Sequence, residues 1–418
     1  MARVMVRPAR PSISVQRLQA ADRTLGRAAC AALQPLRWLR VPEQPGGGGR
    51  PRAPGVARVL LVKFWGLGSL QLLTPAVRSL RRELPGAELA LLTLAQNAAF
   101  ARGLGVFDEV LALDVECASW PALAGRVTRL VRGLRRRRFS RVYDFEFLTR
   151  FSALVTLATG APWTAGFHSD RVWRGEFTRR AVAYRDDWHV ARNFRALAGG
   201  EDGREVAPDE LTPFPVRPAD RARVEALTRA ATPCAPLVVL NPNAGALFQR
   251  RRWPRARFAA VARELHARHG ARCVLIGARQ EAAYTAGLAS RVPGAIDLAG
   301  RLSIGELCAL LAGADLVVSN DSGPMHLAAA LGTPTLGLFG PETPRTYGPL
   351  GARARALWRP IACSPCLSVH ANKLAACVHP RAECLAGLSV ERVLAEARDL
   401  LGAARPDRNQ AVRCGSSC

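Results

Sequence analysis

The chain of 418 residues is long enough for two domains with complete cores, and its 49% hydrophobic and 22% charged residues are typical of a globular protein. Because no uninterrupted apolar run reaches about 18 residues, the sequence predicts no membrane-spanning helix. The formal net charge of +26 indicates an anionic partner. The lack of a recognisable nucleic-acid module favours an anionic membrane surface or a phosphorylated lipid over nucleic acid.

Residues 1–56 are predicted to form a basic N-terminal extension and linker. Apolar residues recur at about helical spacing between positions 15 and 39 among several arginines, and a glycine run follows at 46–49. Two interpretations stay open: a basic amphipathic helix on the inner leaflet of a membrane, or a partly ordered tail or helix docked on the globular body. The scattered arginines do not form a secretory signal.

The first folded half, predicted for residues 57–215, opens as the βαβ unit of a doubly wound domain. Short apolar runs are separated by turn residues and by longer helical patterns, which is typical of a parallel sheet. Its predicted elements are strand 59–62, the glycine-rich turn 64–69, helix 72–84, and strands 88–93, 110–113 and 141–145.

A proline-rich interval at 208–218 precedes a second predicted domain at 216–402 and a tail at 403–418. The alternation of strand and helix in both halves predicts an α/β protein with two Rossmann-like domains facing a cleft. The predicted elements of the second domain are strand 237–240, helix 257–269, strand 273–277, helices 281–292 and 304–312, strand 316–319, helix 325–331 and strand 335–339.

The turn at 320–324, between an apolar strand and a small-residue helix, is a predicted ligand site. Ser322 and Gly323 stand at the helix N-terminus, where free backbone N–H groups and the helix dipole favour a phosphate. Pro324 suits the first helical turn, and His326 lies within that turn. The residues predict a pyrophosphate cradle, with an ordinary capped helix as the alternative.

The run DSGPMH at 321–326, followed by alanines at 328–330, Pro334 and FGP at 339–341, resembles the signature of glycosyltransferase family 9, the family of the ADP-heptose:lipopolysaccharide heptosyltransferases. The resemblance implies a GT-B fold and metal-independent transfer of a heptose or similar sugar with inversion. It implies a nucleoside diphosphate sugar, ADP-linked, as co-substrate and no other cofactor. The implied acceptor is a lipopolysaccharide core or other lipid-linked glycan, used by a cytoplasmic protein at the inner membrane face.

The resemblance also implies which residues bind the donor. In the family a basic residue two positions before a Trp-Pro pair contacts the donor, and here that residue is Arg251. Its charge would neutralise the departing diphosphate, although a surface arginine cluster is the alternative interpretation. Glu281 is placed to accept hydrogen bonds from ribose hydroxyls. The predicted donor-binding residues are Asn243, Arg251, Glu281, Asp321, Ser322, Gly323, Pro324 and His326.

The catalytic base is the point at which the chain departs from the family. The family's first glycine-rich turn ends in Gly-Asp, whereas the matching pair here is Gly68-Ser69. A serine without a partner is a poor base, so Glu146 and then Asp144, at the end of a predicted strand, are the preferred substitutes. The predicted catalytic residues are Glu146, Asp144, Ser69 and Arg251. The predicted acceptor-binding residues are Lys63, Gly68 and Ser69.

The missing base keeps other interpretations open. His168 and His189 are further candidates for the base. A catalytically silent relative that binds a nucleotide sugar is the alternative function. A dinucleotide-dependent oxidoreductase is disfavoured because Gly66-x-Gly68 lacks a third glycine at the expected spacing.

The eleven cysteines are an odd number, and several lie in predicted core segments, which indicates reduced thiols in a cytoplasmic protein. Cys363, Cys366, Cys377 and Cys384 include a CxxC pair of the kind that zinc sites use. Their spacing is not that of a named zinc finger. No metal is therefore predicted, and a structural metal at these cysteines is the weaker alternative.

Overall fold

The computed structural model describes residues 13, 15–39, 56–200, 204–229, 235–245, 249–371 and 376–413. The chain divides into two compact units, each with one six-stranded sheet whose strands pair in parallel. One unit comprises Met1–Trp65, Arg81–Arg102 and Phe107–Tyr184, and the other comprises Gly66–Leu80, Gly103–Val106 and Arg185–Cys418. The α/β prediction is confirmed, and the predicted domain limits stay a prediction.

The four central strands of the first sheet are short runs that are buried on both faces, as strands are when crossover helices cover a parallel sheet, while its two edge strands are partly exposed. Its strands are β1 (Arg58–Val62), β2 (Glu88–Leu94), β3 (Glu109–Leu113), β4 (Arg141–Asp144), β5 (Trp163–His168) and β6 (Arg180–Ala183). Their order is β3-β2-β1-β4-β5-β6. Because the chain starts in the middle and moves out on both sides, the order reverses between β1 and β4, where such sheets bind ligands.

The second sheet repeats this arrangement. Its strands are β7 (Leu237–Asn241), β8 (Arg272–Leu275), β9 (Ile296–Asp297), β10 (Leu316–Asn320), β11 (Thr335–Phe339) and β12 (Ala354–Trp358). Their order is β12-β11-β10-β7-β8-β9, so the topological switch point lies between β7 and β10. Trp253 and Phe258 pack in its core, and the Trp253 indole N–H donates to the Leu388 carbonyl at 3.0 Å.

Helices connect the strands in both units. They are α1 (Val15–Leu33), α2 (Leu67–Glu83), α3 (Ala95–Gly103), α4 (Trp120–Arg137), α5 (Arg150–Thr159), α6 (Val190–Leu197), α7 (Pro218–Leu227), α8 (Arg255–His269), α9 (Ala282–Ala289), α10 (Ile304–Gly313), α11 (Gly323–Ala330), α12 (Pro344–Tyr347), α13 (Glu383–Ala386) and α14 (Val390–Arg413). Short 3-10 helices span Gln34–Leu39, Pro208–Glu210, Gln249–Arg251, Arg279–Glu281 and Val369–Ala371. None of the described helices is both long and apolar enough to cross a bilayer.

Two helix predictions are wrong in ways that matter for the site. The helix predicted at 72–84 begins at Leu67, because Gly66 takes a φ of +89° and completes the turn, so Gly68 and Ser69 lie in the first helical turn. The helix predicted at 281–292 ends at Ala289 and begins after a 3-10 turn. The Glu281 carboxylate accepts the Ala278 N–H at 3.0 Å and closes that turn.

The N-terminal helix α1 is docked on the first unit. Asp22 accepts the backbone N–H groups of Phe151 at 2.7 Å and Arg150 at 3.2 Å, so it caps the start of α5 from outside that helix. Cys30 is fully buried and donates to the Arg174 carbonyl at 3.3 Å. Of the two interpretations of this segment, the structure therefore favours the docked helix. The predicted linker, with its glycine run at 46–49, lies outside the described residues.

Candidate functional site

The switch point of the second sheet carries a network of short polar side chains. Asn241, the last residue of β7, donates to the Ser319 hydroxyl at 3.0 Å and to the Ser322 hydroxyl at 2.7 Å. Ser322 is the N-cap residue of α11, yet its side chain makes no capping hydrogen bond. The side chain is bonded to β7 and β10 instead, so it does not occupy the N-terminal turn of α11, which begins at Gly323. That turn is suited to bind an anion.

Arg251 connects the two loops that follow β7 and β10. Its Nη1 donates to the Asp321 carboxylate at 3.2 Å, and its Nη2 donates to the Ala244 carbonyl at 2.8 Å. Its Nε is buried and has no acceptor among the described residues. The guanidinium is thus oriented by two contacts while a further donor stays available for a phosphate oxygen.

Glu281 is bonded to protein groups on both carboxylate oxygens. Oε1 accepts the Gly245 N–H and Arg252 Nη2, each at 3.1 Å, and Oε2 accepts the Ala278 N–H. Arg252 also lies over the Tyr284 ring, 4.4 Å from its centroid. In this structure Glu281 therefore fixes the turn after β7. Its predicted ribose contact stays a prediction.

Asn243 lies in the same turn after β7 as Gly245. It is 2% exposed, and its amide nitrogen donates to the Ile276 carbonyl and the Thr285 hydroxyl, both at 3.0 Å. Its Oδ1 is buried and has no donor among the described residues. The acceptor capacity of the Asn243 side chain is therefore unused among the described residues.

The glycines of two predicted binding turns meet in the second unit. A methyl group on Gly68 would lie 2.4 Å from the Cδ2 atom of His326 and 3.3 Å from the Cα of Gly323, so only glycine fits there. His326 is buried at 5% exposure, and Pro324 occupies the first turn of α11 as expected. Ser69 is half-buried beside Gly66. The structure therefore brings residues predicted to bind acceptor and donor into contact.

In the first unit, Lys63 and Glu146 form a buried ion pair across the switch point between β1 and β4. Lys63 Nζ lies 2.7 Å from Glu146 Oε1 and 4.2 Å from the centroid of the Phe147 ring. The same carboxylate oxygen accepts the backbone N–H groups of Phe64 at 2.7 Å and Trp65 at 3.0 Å. Glu146 thereby holds the turn that leads into the glycine pair.

Asp144, the last residue of β4, is also fully bonded. Its Oδ1 accepts the Glu146 N–H at 3.1 Å, and its Oδ2 accepts the Ser152 hydroxyl at 2.9 Å and the Arg174 guanidinium. Burial raises the pKa of Asp144, and the Arg174 charge opposes that rise. Both carboxylates predicted to act as the base are thus buried, with every oxygen accepting a protein hydrogen bond.

The remaining candidates have other partners. His168 is exposed and lies 3.1 Å from Asp170. His189 caps α6 by accepting the Ala191 N–H, and its Nε2 lies 3.0 Å from the Gly348 carbonyl. Neither histidine contacts the ion pair or the polar network in the described part of the chain.

Two of the four cysteines considered for a metal site, Cys366 and Cys384, pack at the end of β11. Cys366 donates its N–H to the Pro341 carbonyl at 2.9 Å, and the Cys384 thiol packs against Gly340. Burial raises the pKa of Cys384 to about 11, so this thiol is neutral near pH 7. Among the described residues no group of three or more Cys, His, Asp or Glu side chains is arranged to hold a metal ion.

Sequence reasoning missed several residues of the network. Asn241, Asn320 and Tyr284 were not singled out, although Asn320 accepts the Trp253 N–H at 3.0 Å and so positions the Trp-Pro pair. The usable signal is polar residues at the last positions of two buried strands, since parallel strands end at the same edge of a sheet. Arg252 was visible only as part of an arginine run.

Known proteins similar to this chain were found by sequence and by structure. The sequence profile described as "Glycosyltransferase family 9 (heptosyltransferase)" matches residues 127–376. Lipopolysaccharide heptosyltransferase 1 of Pseudomonas aeruginosa is 29% identical over 315 residues, which cover 74% of this chain and 86% of that protein.

Solved structures show the same fold. The structure of E. coli ADP-heptose LPS heptosyltransferase II superposes with a TM-score of 0.65 at 21% identity, covering 83% of this chain and 98% of that one. E. coli heptosyltransferase WaaC with ADP superposes with a TM-score of 0.59 at 21% identity, covering 82% and 99%. The GT-B prediction is therefore confirmed.

Proposed function

The chain belongs to glycosyltransferase family 9, and from this membership we propose that it transfers a heptose or similar sugar, with inversion, from an ADP-linked donor to a lipopolysaccharide-core or other lipid-linked acceptor. The protein is a glycosyltransferase with the GT-B fold. The proposed sugar and acceptor are those in the names of the similar proteins, lipopolysaccharide heptosyltransferases. The nucleotide sugar is a co-substrate, so no other cofactor is proposed.

The observation that carries the proposal is the position of Arg251. It lies between the loops after β7 and β10, oriented by Asp321 and the Ala244 carbonyl. We assign it to the diphosphate, together with the N-terminal turn of α11 at Ser322 and Gly323. As the sugar departs, negative charge grows on the diphosphate, and a fixed cation stabilises that charge.

Asn243, Glu281, Asp321, Pro324 and His326 complete the proposed donor site. The buried Asn243 Oδ1 is assigned to a donor group of the bound nucleotide sugar. Asp321 pairs with Arg251, and Glu281 pairs with Arg252. We infer that these carboxylates orient the two arginines toward the diphosphate. They also offset the positive charge of the arginines when no diphosphate is bound.

On the acceptor side, we assign Lys63 and Glu146 to positioning the turn before Gly68, since both side chains are buried in their mutual ion pair. Asp144 is likewise assigned to holding Arg174 and the start of α5. Ser69, half-buried at the first turn of α2, is assigned to binding the acceptor, because a lone serine is a poor base. The lipid-linked acceptor and the net charge of +26 support action at the cytoplasmic face of a membrane.

The test measures thermal stabilisation by ADP and then sugar transfer. ADP at about 100 times its dissociation constant should stabilise the folded protein by about 2.7 kcal/mol. Arg251→Ala should abolish that stabilisation, and Arg251→Lys should keep part of it because the charge remains. Arg263→Ala, an exposed arginine on α8, is the matched control and should behave as the unchanged protein.

Each contrary outcome identifies which part of the proposal fails. Stabilisation by UDP or GDP in place of ADP would reassign the nucleotide. ADP stabilisation without transfer from ADP-heptose to a heptose-deficient lipopolysaccharide core would favour the nucleotide-sugar-binding alternative. Equal stabilisation of Arg251→Ala and the unchanged protein would remove Arg251 from the donor site.

A further inference from the structure

Asn241 is a buried polar residue at the end of a strand that otherwise consists of leucine and valine. Its side chain lies in a residue that is 2% exposed, and every residue of β7 is buried. Its amide nitrogen donates one hydrogen to the Ser319 hydroxyl and one to the Ser322 hydroxyl, and its Oδ1 accepts the Asn243 N–H at 3.3 Å. Because a buried amide is costly unless it is bonded, these three contacts hold the side chain in one orientation.

The Ser322 hydroxyl is fixed by this amide and by one neighbour. Ser319 donates its own hydrogen to the Asn320 carbonyl at 2.7 Å, so the Ser322 hydroxyl is the donor in the 3.1 Å contact between the two serines. Ser322 thus accepts a hydrogen bond from Asn241 and donates one to Ser319. Its side chain is bonded to the ends of β7 and β10 and caps no N–H group of α11.

The N-terminal turn of α11 is left without a side-chain cap although two residues of capping type precede it. Asp and Ser are preferred N-cap residues because their short side chains reach the N–H groups of the first turn. Here Asp321 is paired with Arg251 at 3.2 Å, and Ser322 is held by Asn241. The Gly323 N–H has no acceptor in the described part of the chain. Both capping oxygens are therefore bonded elsewhere, which keeps this turn available to an anion.

We propose that Asn241 is a positioning residue for the donor diphosphate. It holds the Ser322 hydroxyl away from α11, so that the N-terminal turn binds phosphate and not its own serine. The inference rests on the proposed function, which assigns the diphosphate to Arg251 and this turn, and deepens it by naming the residue that keeps the turn open. Without the amide, the Ser322 oxygen is free to accept the Met325 N–H, which is the bond that an N-cap side chain normally makes.

A double-variant cycle on the full chain tests the proposal, with ADP and inorganic pyrophosphate as the probes. Asn241→Ala should weaken the binding of both probes about fivefold, which corresponds to about 1 kcal/mol for displacing a capping serine. In the Ser322→Ala background, which has no hydroxyl to compete, the same substitution should weaken binding by less than about twofold. A damaged β7 would instead weaken binding in both backgrounds, so this rescue distinguishes positioning from a loss of structure.

A measurement without ligand makes the same comparison. Hydrogen exchange at the Met325 amide should be slower in Asn241→Ala than in the double variant, because the Ser322 hydroxyl protects that amide once it is free to cap α11. Thr333→Ala is the matched control. It removes a buried hydroxyl that donates to the Leu311 carbonyl at 2.8 Å, beyond the C-terminal end of α11, and should leave the binding of both probes unchanged.

The possible outcomes separate this proposal from the proposed function. Equal weakening by Asn241→Ala in both backgrounds, or equal Met325 exchange in the single and double variants, would overturn the positioning role and leave the transferase function as it was. Rescue of pyrophosphate binding in a protein that does not bind ADP would support the role of Asn241 and remove ADP from the proposed function. Failure of the unchanged protein to bind either probe would overturn both.

Discussion

Glu146 shows how one carboxylate organises a turn. It accepts hydrogen bonds from Lys63 and from the backbone N–H groups of Phe64 and Trp65, and Asn97 donates to the Phe64 carbonyl at 2.7 Å. The turn is therefore held through the N–H groups of Phe64 and Trp65 and through the Phe64 carbonyl. A base must be free to receive a proton, so these contacts argue for a positioning role.

Glu146→Gln should lower the free energy of unfolding by about 3–5 kcal/mol, because it leaves the Lys63 charge buried without its partner. Adding Lys63→Met should restore most of that loss, since the pair then becomes neutral and of similar volume. Urea unfolding of both single variants and the double variant measures the coupling.

Kinetic measurements could contradict the positioning role of Glu146. If Glu146→Gln kept its stability and lost sugar transfer by about 100-fold or more, the carboxylate would be acting on the acceptor proton. The positioning assignment would then be withdrawn.

Among the helices, α1 and α5 form a pair in which one supplies the cap of the other. The N-cap residue of α5, Thr149, makes no side-chain capping bond to its own helix. Asp22 takes that role from a distant part of the chain. A carboxylate at a helix N-terminus also interacts favourably with the helix dipole.

Asp22→Ala should cost about 0.5–2 kcal/mol in unfolding free energy and should speed hydrogen exchange at the Phe151 amide. Asp22→Asn should cost less, because the amide oxygen still accepts. Thr24→Ala, an exposed position on the same helix, is the control and should change little. An unchanged exchange rate at Phe151 in Asp22→Ala would show that another group caps α5.

For the whole protein, the buried histidine His189 makes stability depend on pH. Burial lowers the pKa of His189 below its ordinary value, because the charged form loses hydration. Its Nδ1 accepts the Ala191 N–H, so Nδ1 carries no proton in the folded state. The unfolded state therefore binds a proton at this histidine more readily than the folded state does. The contribution of the neutral His189 to folding stability is fully present above the ordinary pKa of about 6.5 and is lost as the pH falls below it.

The free energy of unfolding should therefore fall as the pH drops below about 6.5, with a slope of up to about 1.4 kcal/mol per pH unit from this residue. His189→Asn keeps an N-cap acceptor but does not titrate, so it should reduce the slope by that amount. Equal slopes in His189→Asn and the unchanged protein would contradict the assignment.

Local sequence patterns were sufficient to predict much of the fold. The strand at 335–339 was predicted with the bounds that β11 has, and the turn before α11 was predicted from Asp321-Ser322-Gly323-Pro324. Strand, turn and helix are each encoded by contiguous residues, because hydrophobic periodicity and capping act over a few positions. The family signature lies in one such contiguous run.

The partners of the charged residues came only from the folded chain. Arg251 meets Asp321 across 70 positions, and Lys63 meets Glu146 across 83. Each contact exists because strands that are distant in sequence are neighbours in the sheet, β7 beside β10 and β1 beside β4. From the sequence alone, a charged side chain is equally a candidate for a catalytic role and for a structural ion pair. Strand order decides which, because it sets the distance to the opposite charge and the depth at which both are buried.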